Sequence, residues 1–398
     1  MSLPVIDSRP SGRTSAAFYL YYVSLYAPVA ITISFFPLWI RAQGLSEQQT
    51  GLVLALGAGL AVLVNPMIGA MADQARSRKT ILLAMVAASA MSAAMLTIAN
   101  GFVGVLLVFL ATRACSASLL PLSESIAIAG VARHGLDFGR LRSAGSMAVV
   151  AMSIVLGWLV DRAGTDIIAI VFLVAYIAQG IVGLALPGDA VRVGQRVQGP
   201  IMQVLRRPGF LLFLCSAAVS QACHGFFYSY GVLFWKREGF SGATIGYLWA
   251  LGVVAEIVVF TVGARIVSRA SAPRLIALAC AASALRWTLI GMAPRMDIAI
   301  FAQLLQGATL GFTQLGAAEY MRTRMPANVL SSSTGVYAAF TGLLTAVCVY
   351  AGSFLFANVG GRAFLLPATL CLLGVGSALM LARSRAERHA SLAEAGTT

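Results

Sequence analysis

The sequence predicts an all-α membrane protein with twelve transmembrane helices arranged as two six-helix bundles. Three observations carry this. The 398 residues are 59% hydrophobic and only 11% charged, where a soluble domain carries about 25% charged residues. Apolar runs of about 20 residues recur from end to end, each long enough to cross a bilayer as helix. A weak internal repeat then divides the chain into two similar halves.

The spans are expected at 17–40, 48–71, 79–99, 102–130, 142–160 and 165–187 in the first half. The second half has 209–235, 242–266, 273–293, 298–320, 329–357 and 363–383. No alternating ten-residue pattern suggests a transmembrane barrel. The first 16 residues hold Pro4, Arg9, Pro10 and Arg13 and no apolar core, so no cleavable signal is expected before the first span.

The formal charge of +14 could suggest nucleic acid, but its distribution argues against it. With the N-terminus in the cytoplasm, Arg41, Arg162, Lys236, Arg237, Arg295 and Arg362 fall on the outer side. Arg113 and Arg286 fall inside spans, and the remaining Lys and Arg fall on the cytoplasmic side. This is the positive-inside pattern, with both termini cytoplasmic. No basic cluster is interleaved with aromatics, so nucleic acid is not an expected partner. The expected partners are a small-molecule substrate, protons and the lipid bilayer, around a monomer.

All six cysteines (115, 215, 223, 280, 348, 371) fall in expected spans and read as small apolar packers. Neither a phosphate-binding loop, a nucleophile arrangement nor a metal cluster is present, so no enzyme, cofactor or metal is expected. Transport by such a chain would be secondary, driven by an ion gradient.

The repeat has an offset of about 195 residues. Leu45-Ser46-Glu47-Gln48-Gln49-Thr50-Gly51 returns as Phe240-Ser241-Gly242-Ala243-Thr244-Ile245-Gly246. Trp39-Ile40-Arg41 maps onto Phe234-Trp235-Lys236, and Glu124 maps onto Glu319. The expected organisation is a bundle over 1–187, a cytoplasmic linker over 188–208, a bundle over 209–383 and a cytoplasmic tail over 384–398. Such duplicated halves place a binding site near the bilayer midplane.

Several residues stand out against this apolar background. Arg286, in the ninth span, and Glu256, in the eighth, occupy positions that are Met91 and Ala61 in the first half, so the repeat does not impose them. A charge near the bilayer centre is costly and is a functional candidate by default. Arg286 either holds a carboxylate or ties helices together by pairing with Glu256. Glu256 either couples a proton, forms a static pair or bonds the substrate. Gln221, His224 and Tyr228 share one helix face, and His224 suits proton handling.

Arg113, mid-membrane in the fourth span, is either a second substrate or gating arginine or a structural one. Gln303, Gln306 and Gln314 in the tenth span either line a cavity or bond helices together. Tyr22 and Tyr26 belong to an aromatic stripe with Tyr19 that packs, sits at the interface or lines the cavity. Glu124 and Glu319, at equivalent cytoplasmic ends, suit a structural or gating role with Arg140, Arg142, Arg322 or Arg324. Asn65-Pro66 is expected to mark a kink.

Gly69-Ala70-Met71-Ala72-Asp73-Gln74-Ala75-Arg76-Ser77-Arg78-Lys79 resembles the loop signature of major facilitator transporters. There Asp73 would latch the cytoplasmic side through Arg76 or Arg78. A narrower resemblance, to the phenylpropionate permease family, covers the whole chain. It rests on Gly246–Glu256 in the eighth span, Gln221–Tyr228 in the seventh, and Arg286-Trp287 in the ninth. Pro121–Ser125 and Gly139-Arg140-Leu141-Arg142 with Gly145-Ser146 add to it. One departure stands out: the family's tenth span has Gln, two residues, then His, where this chain has Gln303-Leu304-Leu305-Gln306.

The resemblance implies a major facilitator fold in a bacterial inner membrane. It also implies proton-coupled import of a small organic anion such as an aromatic carboxylate. A sugar, nucleoside or siderophore carrier remains the alternative, and a non-transporting sensor is a further one.

Overall fold

The computed structural model describes residues 12–75, 77–188 and 201–384. Arg76, residues 189–200 of the expected linker and the tail from 385 lie outside the described residues, as does the side chain of Asp73. Every described element is helical. Among the described residues, eleven stretches are long and apolar enough to span a bilayer. The last, Val329–Arg383, runs to 55 residues, far beyond one crossing. It contains two helices, Ala327–Val359 and Leu365–Arg383, joined by a tight turn at Gly360–Phe364. Gly360 takes φ 56° there, a left-handed value that glycine adopts without a Cβ penalty. Twelve spans result.

Local chemistry fixes many of the ends. Ser46 caps Glu47–Gln74 with Gln49 in a reciprocal capping box. The Asp137 side chain accepts from the Arg140 N–H at the start of Phe138–Ala163. Gly135, at φ 62°, ends Leu119–His134. Pro66 lies inside Glu47–Gln74, which runs unbroken past it. The breaks come elsewhere: between Ser116 and Leu119 in the fourth span, and as π-helical turns at Leu214–Ala218 and Gly307–Gly311 in the seventh and tenth. Such turns sit frequently at functional sites.

The chain divides into two compact units. The first holds 1–49, 60–194 and 241–250; the second holds 50–59, 195–240 and 251–398. In the first, the first span packs on the fifth and sixth, and the third on the fourth and sixth. In the second, the seventh span packs on the eleventh, and the ninth on the tenth and twelfth. First with fifth and third with sixth thus repeat as seventh with eleventh and ninth with twelfth, the packing counterpart of the sequence repeat. Large apolar side chains such as Leu63, Met91, Ile98, Met292 and Leu373 are exposed. That is the surface a bilayer solvates, and the chain is a multi-pass membrane protein.

Candidate functional site

The second unit carries a buried polar cluster. Its centre is Arg286, fully buried on Ala272–Met292. One guanidinium nitrogen, Nη2, donates to Gln303 Oε1 at 2.6 Å and to Gln306 Oε1 at 2.5 Å. Nη1 reaches Thr309 Oγ1 at 3.4 Å. The cation also lies 4.7 Å from the Phe227 ring centroid and 4.6 Å from that of Trp287, distances at which ring quadrupoles attract it. Its Nε has no hydrogen-bond partner among the described residues.

Gln306 reads two charges at once. Its Oε1 accepts from Arg286, and its Nε2 donates to Glu256 Oε1. Both bonds together fix the amide orientation. Arg286 and Glu256 are therefore joined through an amide, where the sequence reading had weighed a direct ion pair. Gln303 and Gln306 bond helices together and meet the arginine as well.

His224 extends the cluster. Its Nδ1 lies 2.9 Å from the Ser220 carbonyl, and its Nε2 lies 3.0 Å from Thr309 Oγ1. A carbonyl only accepts, so Nδ1 carries a proton. Neutral His224 then accepts at Nε2 from the Thr309 hydroxyl. Charged His224 donates there instead, and the single Thr309 proton turns to the Gln306 carbonyl, 3.1 Å away. The tautomer logic makes Thr309 a two-way contact between His224 and Arg286. Ser220 and Thr313 continue the chain at 2.8 Å. Trp287 meets the His224 ring edge-on at 5.3 Å between centroids.

Glycines make this packing possible. A Cβ on Gly252 would lie 2.9 Å from Gln306 Cδ and 3.0 Å from Gln303 Nε2. One on Gly307 would lie 2.5 Å from the Ala255 carbonyl, and one on Gly311 would lie 2.6 Å from Val259. The eighth and tenth spans approach there because no side chain intervenes, as small residues allow in membranes.

Of the other expected residues, Tyr228 stands near His224, with centroids 6.4 Å apart. The Gln221 side-chain oxygen is buried with no partner among the described residues. Sequence reasoning missed Thr309, Gly307 and Gly311, and had Phe227, Trp287 and Gly252 only within the segments that carry the family resemblance. The Gly307-xxx-Gly311 spacing was the one signal available for the glycines.

The first unit holds a different arrangement. Glu124 pairs with Arg142 at 2.8 Å, next to Tyr22 and Tyr26, whose rings lie 6.2 Å apart. The Tyr22 hydroxyl is buried without a partner among the described residues. Arg140 turns to Asp137 at 3.5 Å. Glu319, in the second unit, pairs locally with Arg322 at 2.6 Å. Arg78 opens the helix Arg78–Leu96 and is partly buried. Lys79 beside it donates to the carbonyls of Leu184 and Leu186 at the end of the sixth span. Arg113, partly exposed, makes no hydrogen bond to the Glu124–Arg142 pair of this unit and interacts electrostatically with the Tyr176 phenol.

Comparison with known proteins places these observations. A probable 3-phenylpropionic acid transporter of Escherichia coli (strain K12) is 27% identical over 362 residues, covering 89% of this chain and 94% of its own. A maltose permease of Geobacillus stearothermophilus is 24% identical over 381 residues, covering 94% and 95%. The crystal structure of the nucleoside transporter NupG superposes with a TM-score of 0.76 at 14% identity, over 94% of this chain and 100% of that one. The model of the MFS_1 like family matches residues 15–366. The chain therefore belongs to this family of the major facilitator superfamily, and it is a membrane transporter and not an enzyme.

Proposed function

We propose that the protein is a proton-coupled importer of small organic anions, most closely aromatic carboxylates, in a bacterial inner membrane. Both termini would face the cytoplasm. The observation that carries this is the Glu256–Gln306–Arg286 chain inside apolar helices, with His224 joined to it through Thr309.

The coupling logic follows from charge. With Glu256 ionised, the cluster holds one positive and one negative group bridged by an amide. A proton on Glu256 removes the negative partner. The Gln306 amide then loses its anionic acceptor, and Arg286 is left as an uncompensated cation in a low-dielectric site. An anion entering the same protein restores neutrality. By linkage, the anion equally raises affinity for the proton. One proton moving with one monoanion makes the step electroneutral. The groups facing this exchange are Arg286 from the ninth span, Glu256 from the eighth, and His224 and Tyr228 from the seventh.

In this arrangement Arg286 is already met by two glutamine oxygens and two rings. Gln303 and Gln306 would have to yield before it held a carboxylate itself, so its stronger role here is to sense the charge of Glu256. Gln221, Tyr228, Tyr22 and Tyr26 supply polar and aromatic contacts to the solute. Asp73 with Arg76 and Arg78, and Glu124 with Arg140 and Arg142, latch the cytoplasmic ends, and Glu319 acts with Arg322. The relative named as a maltose permease supports a second reading, a neutral sugar or nucleoside as solute.

The test uses proteoliposomes loaded with a pH dye. External 3-phenylpropionate should acidify the lumen, and Glu256→Gln should abolish the signal. Maltose or a nucleoside binding to the same preparation, without any response to the acid, would overturn the anion assignment.

A further inference from the structure

Arg113 lies twelve residues after the start of the fourth span, Gly101–Val131. At about 1.5 Å per residue that is about 18 Å of helix from its nearer end, so the side chain cannot reach the headgroups by stretching along the lipid. Its guanidinium makes no hydrogen bond or ion pair among the described residues. The electrostatic neighbour it does have is the neutral phenol of Tyr176.

An aromatic cluster packs near this stretch of the span. Phe109, one turn earlier, stacks on Phe36 at 5.4 Å. Phe36 meets Phe172 at 5.1 Å, and Phe172 meets Tyr176 at 4.9 Å. All four rings are buried. Thr112 is buried too, its hydroxyl bonded to the Val108 carbonyl. The helix stops at Ser116. Ser116 lies beside the Tyr176 hydroxyl, and Ser118 donates to Asn65 Oδ1 at 2.9 Å. Arg113 thus stands within one turn of a hydroxyl- and amide-bearing break in an apolar span. An unpaired charge at that depth is among the most costly features a span can hold.

We infer that Arg113, at the break of the fourth span, is the anion-binding residue of the first unit and takes the carboxylate of a monoanionic solute. This rests on the organic-anion reading above and adds the residue that holds the acid group. A guanidinium fork matches two carboxylate oxygens. No second Lys or Arg lies away from the ends of the first six spans, so the site balances one negative charge and not two.

The experiment uses the full chain in nanodiscs near neutral pH. Binding of 3-phenylpropionate and of its neutral amide is measured with thermal unfolding, for wild type, Arg113→Gln and Arg113→Lys. The glutamine variant should bind the acid about ten- to a hundredfold more weakly, as expected for a lost charge-assisted bond. It should bind the amide as wild type does. With no ligand it should melt at or above wild type, because an uncompensated charge has gone. Lysine should restore part of the acid affinity.

Acid affinity within twofold of wild type in Arg113→Gln would overturn the inference. So would acid and amide binding lost together with a lowered melting temperature in both variants, which marks a structural arginine. Wild type binding neither compound would sink this inference and the anion reading together. Proton-coupled uptake that survives Arg113→Gln would sink only the inference. Arg113-dependent binding without lumen acidification would support the inference and sink only the proton-coupled reading.

Discussion

Arg286 and Arg113 both lie deep inside apolar helices, one in each unit, and their surroundings differ. Arg286 has three side-chain acceptors and two aromatic faces, and through Gln306 it is joined to Glu256. Arg113 has only an electrostatic interaction with the Tyr176 phenol among the described residues. A saturated cation is part of the resting structure, and removing it takes a donor from each of its acceptors. An unsaturated cation is a standing cost that the empty protein carries for a ligand. Stability should therefore respond to the two substitutions with opposite sign.

The largest effect is expected at Arg286. Arg286→Ala removes the donor that Gln303 Oε1, Gln306 Oε1 and Thr309 Oγ1 accept from and leaves Glu256 without its bridged counter-charge. Breaking a buried charged set in this way costs about 3–5 kcal/mol. Thermal unfolding should show a large drop, with uptake lost. If Arg286→Ala and Arg113→Ala move the melting temperature in the same direction, the contrast between the units is wrong.

A second effect comes from backbone contact. Gly307→Ala puts a Cβ 2.5 Å from the Ala255 carbonyl, and since that atom is backbone, a helix must move. Overpacking of this kind costs about 1–3 kcal/mol. It should also weaken uptake, because the same approach places Gln306 against Glu256. In the first unit, Gly104 has nothing within 4 Å of its Cβ position. Gly104→Ala should be neutral or stabilising by about 0.5–1 kcal/mol. Equal losses at both glycines, read by thermal unfolding, would show that the close approach of eighth and tenth spans is not special.

These contrasts mark what the sequence could show. The spans were legible because about 20 apolar residues in a row have few other fates. Arg286 and Glu256 were legible because charge is rare in such runs. The bridge between them was not, since a glutamine pair in a helix carries no sign of which partner each amide will choose. Thr309 was illegible for another reason. A threonine in an apolar helix normally bonds back to its own backbone, and it gains its second contact here from His224, 85 positions away. The π-turn at Gly307–Gly311 has no periodic signature at all.

Thr309 gives a smaller and more specific test. Thr309→Val keeps the shape and removes the hydroxyl that meets both His224 and Arg286. Leaving buried polar groups unpaired costs about 1–3 kcal/mol. Thr309→Ser should recover most of the stability and of the uptake. A valine variant that transports as wild type does would detach His224 from the coupling chain while leaving Gln306 in place.

The smallest effects are expected at the paired glutamates, where the duplicated halves can be compared at one equivalent position. Glu124 reaches Arg142, 18 residues away on the next span, at 2.8 Å. Glu319 reaches Arg322 on its own helix at 2.6 Å. A pair within one helix connects nothing that could separate, and the Arg322 side chain is 72% exposed. Arg322→Gln should cost about 0–0.5 kcal/mol. Arg142→Gln removes a link between two spans whose side chains are 50% and 30% exposed, so about 1 kcal/mol is the upper expectation. Its transport defect should exceed its loss of stability, because Tyr22 and Tyr26 interact electrostatically with the same pair. Uptake rates and melting temperatures measured side by side would decide this. Equal behaviour of the two arginine variants would mean that the equivalent glutamates serve the same local purpose in both halves, with the cross-span link of the first half contributing nothing to transport.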